Sequence, residues 1–152
     1  MTSTYLENLK VPARVHVEVI GLELPRDVLQ QLRSIYPTFP TILETTKIVE
    51  IPYIAGVVNV RQSSKLVKPI LRKILNETIS RIVNPLIEVL RSVGVEEPER
   101  YITAYIVVDS AVSPVFAFLG YTNLSKKGEE VFTYVPRIGL GYWQERNRIL
   151  SV

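Results

Sequence analysis

Six cations crowd one stretch of the 152-residue chain: Arg61, Lys65, Lys68, Arg72, Lys73 and Arg81 stand against Glu77 alone. The whole chain carries only +3, so the positive charge is local and the remainder is slightly acidic. Lys65, Lys68, Arg72, Asn76, Ser80 and Asn84 recur every three or four residues, which places them on one face of a helix. Such faces are commonly no more than solvated. Lys65 and Lys68, however, sit near the expected helix start, where the macrodipole disfavours cations by roughly a few tenths of a kcal/mol. Phosphate groups would make use of cations so placed.

Aromatic side chains concentrate elsewhere. Nine of the thirteen lie in the last third, among them Tyr101, Tyr105, Phe116, Phe118, Phe132 and Tyr134. Bases stack on such rings, so Arg61, Lys65, Lys68, Arg72 and Lys73 with Tyr101 and Tyr105 form the candidate set for single-stranded DNA or RNA. No Arg/Lys-Gly-aromatic signature of RNA-recognition sheets accompanies them, and interior strands carry aromatics in any case.

Catalytic chemistry is poorly provided for. There is no cysteine, which excludes disulfides, thiolate metal sites and cysteine nucleophiles. The single histidine, His16, falls on the polar side of a strand beside Glu18 and reads as a surface residue. Asp109-Ser110 lacks a nearby base. Gly139-Leu-Gly141 lacks the third glycine and the following helix of a dinucleotide fingerprint. Glu96, Glu97, Glu99, Glu129 and Glu130 are loop carboxylates with no neighbour to raise one selectively, although a carboxylate-based hydrolase stays open. Asn76-Glu-Thr78 and Asn123-Leu-Ser125 match glycosylation sequons, the first within a helix and neither accompanied by an export signal. No metal or cofactor is expected.

The elements that must position these residues follow from hydrophobic period. Arg14 to Leu24 alternates as a half-buried strand. Pro25, Asp27, Val28, Leu29, Leu32 and Ile35 outline an amphipathic helix ending before Pro37, and Pro37 to Pro40 is a connector. Lys47 to Ile51 and Val57 to Arg61 read as two strands joined by a turn. Ser64 to Gly94 is a long helix whose apolar stripe runs through Val67, Leu71, Leu75, Ile82, Leu86, Val89 and Val93, with Thr78 in the gap, widened by Ile70, Ile74, Ile79, Val83, Ile87 and Leu90. Pro69 fits its first turn, whereas Pro85 predicts a kink or break, with Asn84 capping a second segment. Tyr101 to Asp109, Val115 to Thr122 and Glu130 to Pro136 are strands. Residues 1–12 are a candidate flexible arm and 137–152 a C-terminal tail.

The expected fold is therefore a single α+β domain of order β-α-β-β-α-β-β-β, a mostly antiparallel sheet with a long helix on one face. That order suits a ferredoxin-like core with an extended sheet, or a profilin-like sheet. Length and a hydrophobic fraction of 47% provide for a packed core. The run Ile102 to Ser125 is apolar, but Asp109-Ser110 and Ser113-Pro114 divide it into a hairpin, so no membrane partner is expected. With no signal peptide in Met1 to Lys10 the location expected is cytoplasmic, and abundant Ile, Val, Glu and Arg would suit a thermophile.

The strand faces supply the leading functional expectation. Ile102, Ala104, Ile106 and Val108 can face the helix, but Tyr101, Tyr105, Val107, Phe116 and Phe118 on the other side are not solvent-like. A sheet apolar on both faces needs two covers, and one long helix supplies one. Either Val28 to Ile35 or a partner supplies the second. A non-catalytic assembly or protein-interaction subunit, self-associating as a homo-oligomer, is the first expectation, and single-stranded nucleic-acid binding the alternative.

Overall fold

Strict alternation of Val11, Ala13, Val15, Val17 and Val19 with polar neighbours builds β1 (Leu6–Val19), whose valine side is buried. Around it the computed structural model describes residues 6–43, 47–54, 60–108, 115–121, 124, 130–136, 144, 147 and 148. In chain order these form β1, α1 (Arg26–Ile35), β2 (Thr41–Leu43), β3 (Lys47–Ile54), α2 (Val60–Thr78), a π-helical turn (Ile79–Val83), α3 (Asn84–Ser92), a short 3-10 turn (Pro98–Tyr101), β4 (Ile102–Val108), β5 (Val115–Tyr121) and β6 (Glu130–Pro136). The fold is α+β, as expected, with an entirely antiparallel six-stranded sheet of order β2-β1-β4-β5-β6 and β3 on the same edge of β1 as β2.

Several boundaries move. Leu6 to Pro12 are strand residues opposite β3, not a free arm, and β1 stops at Val19 before Gly21, whose φ of 78° suits glycine. Arg61 lies in the first turn of α2 rather than in a strand. Of the two strands expected over Lys47 to Ile51 and Val57 to Arg61 the first is β3, whereas Val60 and Arg61 begin α2 and residues 57–59 lie outside the described residues. β2 and β3 both pair with β1, His16 opposite Leu43 and Ala13 opposite Lys47, so they run end to end along one edge. β3 and β4 thus flank β1 with a shared direction, and the helices between them must cross the sheet to connect the two. At about 1.5 Å per residue, α2 through α3 is about 50 Å long, enough for that passage.

The long helix does not break at Pro85. Asn84 is helical (φ −60°, ψ −45°) and donates its N–H to the Ile79 carbonyl five residues back, so it is an interior residue rather than a cap. Pro85 has no N–H, and its ring would crowd the Arg81 carbonyl in a regular helix; the wider π turn just before it accommodates this without a break. Pro69 lies well inside α2, since the helix begins at Val60. The extra residue of the π turn also shifts the stripe. Val67, Leu71, Leu75, Thr78 and Leu86 are buried as expected, but past Thr78 the flanking Val83 and Leu90 are fully buried while Ile82 and Val89 of the central stripe are only partly so. The Thr78 hydroxyl donates to the Ile74 carbonyl at 3.0 Å, which satisfies it in the core.

α1 follows Pro25, carries Asp27 in its first turn and Arg33 in its last, and so complements its dipole at both ends. Its fully buried Leu32, with Val28 and Leu29, joins the same core cluster as Val67, Leu71, Leu75, Leu86 and the inner faces of β1 and β4. Both helical elements therefore pack on one side of the sheet. Val28 to Ile35 does not cover the other.

Candidate functional site

The expected basic stripe does not gather with Tyr105, although two other aromatic residues, Tyr121 and Phe132, meet it. Arg61, Lys65 and Lys73 are exposed on α2, and Tyr101 packs among the helix-side core residues. Lys68 and Arg72 are engaged by the sheet instead: Arg72 donates from Nε and Nη2 to the two oxygens of Glu130 on β6, at 2.9 and 2.7 Å. Lys68 Nζ lies 3.5 Å from the same carboxylate and 5.4 Å from the centre of the Phe132 ring. One turn on, the Tyr121 hydroxyl donates to Asn76 at 3.3 Å. This part of the stripe is a seam fastening α2 to the last two strands.

Arg72, by its hydrogen bonds and charge, holds the Glu130 carboxyl below its ordinary value of 4.5. The seam's contribution is therefore fully present above pH 4.5 and is lost as pH falls through the lower value in the folded protein. With Arg72 half exposed, the bidentate pair is weakened by solvent. Arg72→Met should lower stability at pH 7 by up to about 1 kcal/mol. In denaturant titrations the difference from wild type should close on acidification toward pH 3; a difference independent of pH would assign it to lost packing alone.

Tyr105 lies on the opposite side of the sheet. The register sets His16 beside Tyr105, and the rings stack with centroids 4.8 Å apart and planes 7° from parallel. Phe118 on β5 continues the row, its ring 5.2 Å from that of Tyr105. Gly120, directly opposite Tyr105, leaves the space in which these two rings meet. The Tyr105 hydroxyl donates to Glu18 at 3.3 Å; burial, followed by the Glu18 carboxylate, pushes its pKa up to about 12. Burial and then the Arg14 guanidinium hold the His16 imidazole below its ordinary 6.5, against the opposing pull of Glu18, so it is neutral at pH 7.

Toward β6 the face turns mostly apolar, with Thr133 opposite Phe118. Val107 and Phe116 are buried, with Tyr105, Phe118 and Val135 packed against them. Toward the other edge Ile48 is 66% exposed, and Val131 on β6 is also exposed. Charge along the face is balanced among the described residues: Lys10 stands opposite Glu50, and Arg14 and Glu18 flank His16. This chemistry fits apolar and aromatic contact, and it offers a phosphate chain no net attraction.

His16, Glu18, Phe118 and Gly120 were not anticipated as one site. Their alternation along each strand was visible; their adjacency needed the register. Of the other candidates, Glu99 pairs with Arg91 at 2.7 Å and Glu97 with Arg100 at 3.5 Å. Asp109-Ser110, Glu129, the Gly139-Leu-Gly141 stretch, and Asn123 and Ser125 of the second sequon lie outside the described residues. Among the described residues no three His, Asp or Glu side chains gather as a metal site, and no helix is long and apolar enough to cross a membrane. No protein-family model, curated protein or solved structure matches the chain.

Proposed function

We propose that this chain is a non-catalytic assembly subunit that pairs with a second copy of itself through the sheet face opposite its helices. The observation that carries the proposal is the half-buried row His16, Tyr105 and Phe118, bordered by exposed Ile48 and Val131 and, among the described residues, by equal numbers of cations and carboxylates. A two-fold pairing brings a patch against its own copy, so a patch with both signs of charge around an aromatic centre can complement itself. A nucleic-acid face would be one-signed. The exposed cations Arg61, Lys65 and Lys73 lie on the helix side, away from the ring platform.

Molar mass in solution at micromolar concentration tests this. The wild type should run as a dimer. Tyr105→Ala should raise the dissociation constant about thirtyfold or more, as loss of a central aromatic anchor does. Ile48→Glu should also weaken pairing while leaving monomer stability nearly unchanged, since Ile48 is largely exposed. A wild-type monomer at these concentrations would sink the proposal. Binding of a labelled oligonucleotide at low salt that is lost on charge reversal at Lys65 would favour the nucleic-acid alternative in its place.

A further inference from the structure

His16 is the chain's only histidine, and it stands at the middle of the face through which pairing is proposed. We infer that His16 makes this pairing acid-labile: the second copy closes over a neutral imidazole, and protonating that ring drives the copies apart. The inference rests on the proposed pairing and adds its regulation.

The geometry supplies the reason. The imidazole is stacked flat on Tyr105, with Arg14 and Glu18 two residues to either side on β1. Glu18, the group able to stabilise an imidazolium, already accepts the Tyr105 hydroxyl. Arg14 is exposed and opposes a second positive charge. β2, alongside, consists of Thr41, Ile42 and Leu43 and contributes no titrating group, and β5 presents Gly120 beyond Tyr105. Lys10 and Glu50 lie farther along the face and face each other. A second copy brings the same set and removes water, which disfavours the charged ring further. The paired state thus holds fewer protons than the separated one, and pairing strengthens as pH rises through the imidazole's range. The interval from pH 7.5 to 5 spans the range over which an imidazole changes charge.

Molar mass should be measured across that interval for the wild type and for His16→Phe, which keeps a ring on Tyr105. For the wild type the dissociation constant should rise on acidification by up to about tenfold per pH unit for each imidazole, and so up to about a hundredfold for a symmetric pair. His16→Phe should pair equally well at both ends. The single imidazole signal in proton NMR should titrate at lower pH in concentrated, paired protein than in dilute protein. Wild-type pairing as tight at pH 5 as at 7.5 overturns this inference and leaves the pairing standing; so does a His16→Phe variant that loses pairing in step with the wild type. A monomer at every pH overturns both.

Discussion

Phe116→Ala should lower the unfolding free energy by about 3–5 kcal/mol, the range for deleting a fully buried phenylalanine. Phe116 has no measurable exposure although it points away from both helical elements. The single chain has thus already closed the β4–β6 end of its second face, and Phe116 serves the monomer. Phe118, half-buried in the open row, serves the proposed contact. The two phenylalanines should accordingly separate. Phe116→Ala should shift the denaturation midpoint of dilute, unpaired protein strongly, and Phe118→Ala should shift pairing more than monomer stability. Because total stability is on the order of 5–15 kcal/mol, Phe116→Ala brings the fold close to its limit. Phe116→Leu, costing about 1.5 kcal/mol or less, provides a folded comparison. A loss below about 1 kcal/mol for Phe116→Ala would show that this end of the face is loosely closed and that the monomer core lies on the helix side alone.

The position of that second cluster shows what the sequence made legible. β6 runs from Glu130 to Pro136 as its alternation indicated, and β4 and β5 end within a residue or two of their expected limits. Alternation is local, so each strand reveals which residues share a side. The neighbour on the next strand is set over long range: His16 meets Tyr105 because β1 and β4 pair from Ala13 with Val108 through Val19 with Ile102. Without that register His16 looks like an isolated surface histidine. β2 was illegible for a related reason. Three residues following a proline carry no period, and Thr41 to Leu43 are a strand because Glu18, Val17 and His16 bind them.

The long helix failed differently. Its apolar residues are dense enough past Thr78 that Ile82 and Val83 are equally acceptable to the core, as are Val89 and Leu90. Periodicity of 3.6 selects the first of each pair; the π turn inserts one residue and selects the second. The proline that causes the turn was read correctly as a disturbance, but its consequence is a rotated face rather than a broken helix. The charged face misled in turn because spacing alone does not reveal partners. Lys68 and Arg72 share a stripe with Lys65, yet Glu130, some sixty positions away in sequence, neutralises them across the β6 seam.

Gly120→Ala should be the other substitution with a large effect, and it links the sheet to the row it supports. A β-carbon at residue 120 would lie 2.6 Å from the Tyr105 β-carbon, 3.2 Å from the Ala104 carbonyl oxygen and 3.2 Å from the Phe118 ring. The Tyr105 β-carbon is fixed to its backbone and cannot swing aside, so β4 and β5 must part locally or Tyr105 must leave the row. The strain should cost about 1–3 kcal/mol in denaturant titrations, as overpacking of a buried site does. Displacing Tyr105 removes the ring that bridges His16 to Phe118, so pairing should weaken as well. A double-mutant cycle identifies the contact responsible. In a Tyr105→Gly background, where the opposing β-carbon is gone, Gly120→Ala should lose most of its cost. An undiminished cost there would place the strain on the Ala104 carbonyl, and the glycine would then be serving the spacing of the strands rather than the seating of the aromatic row.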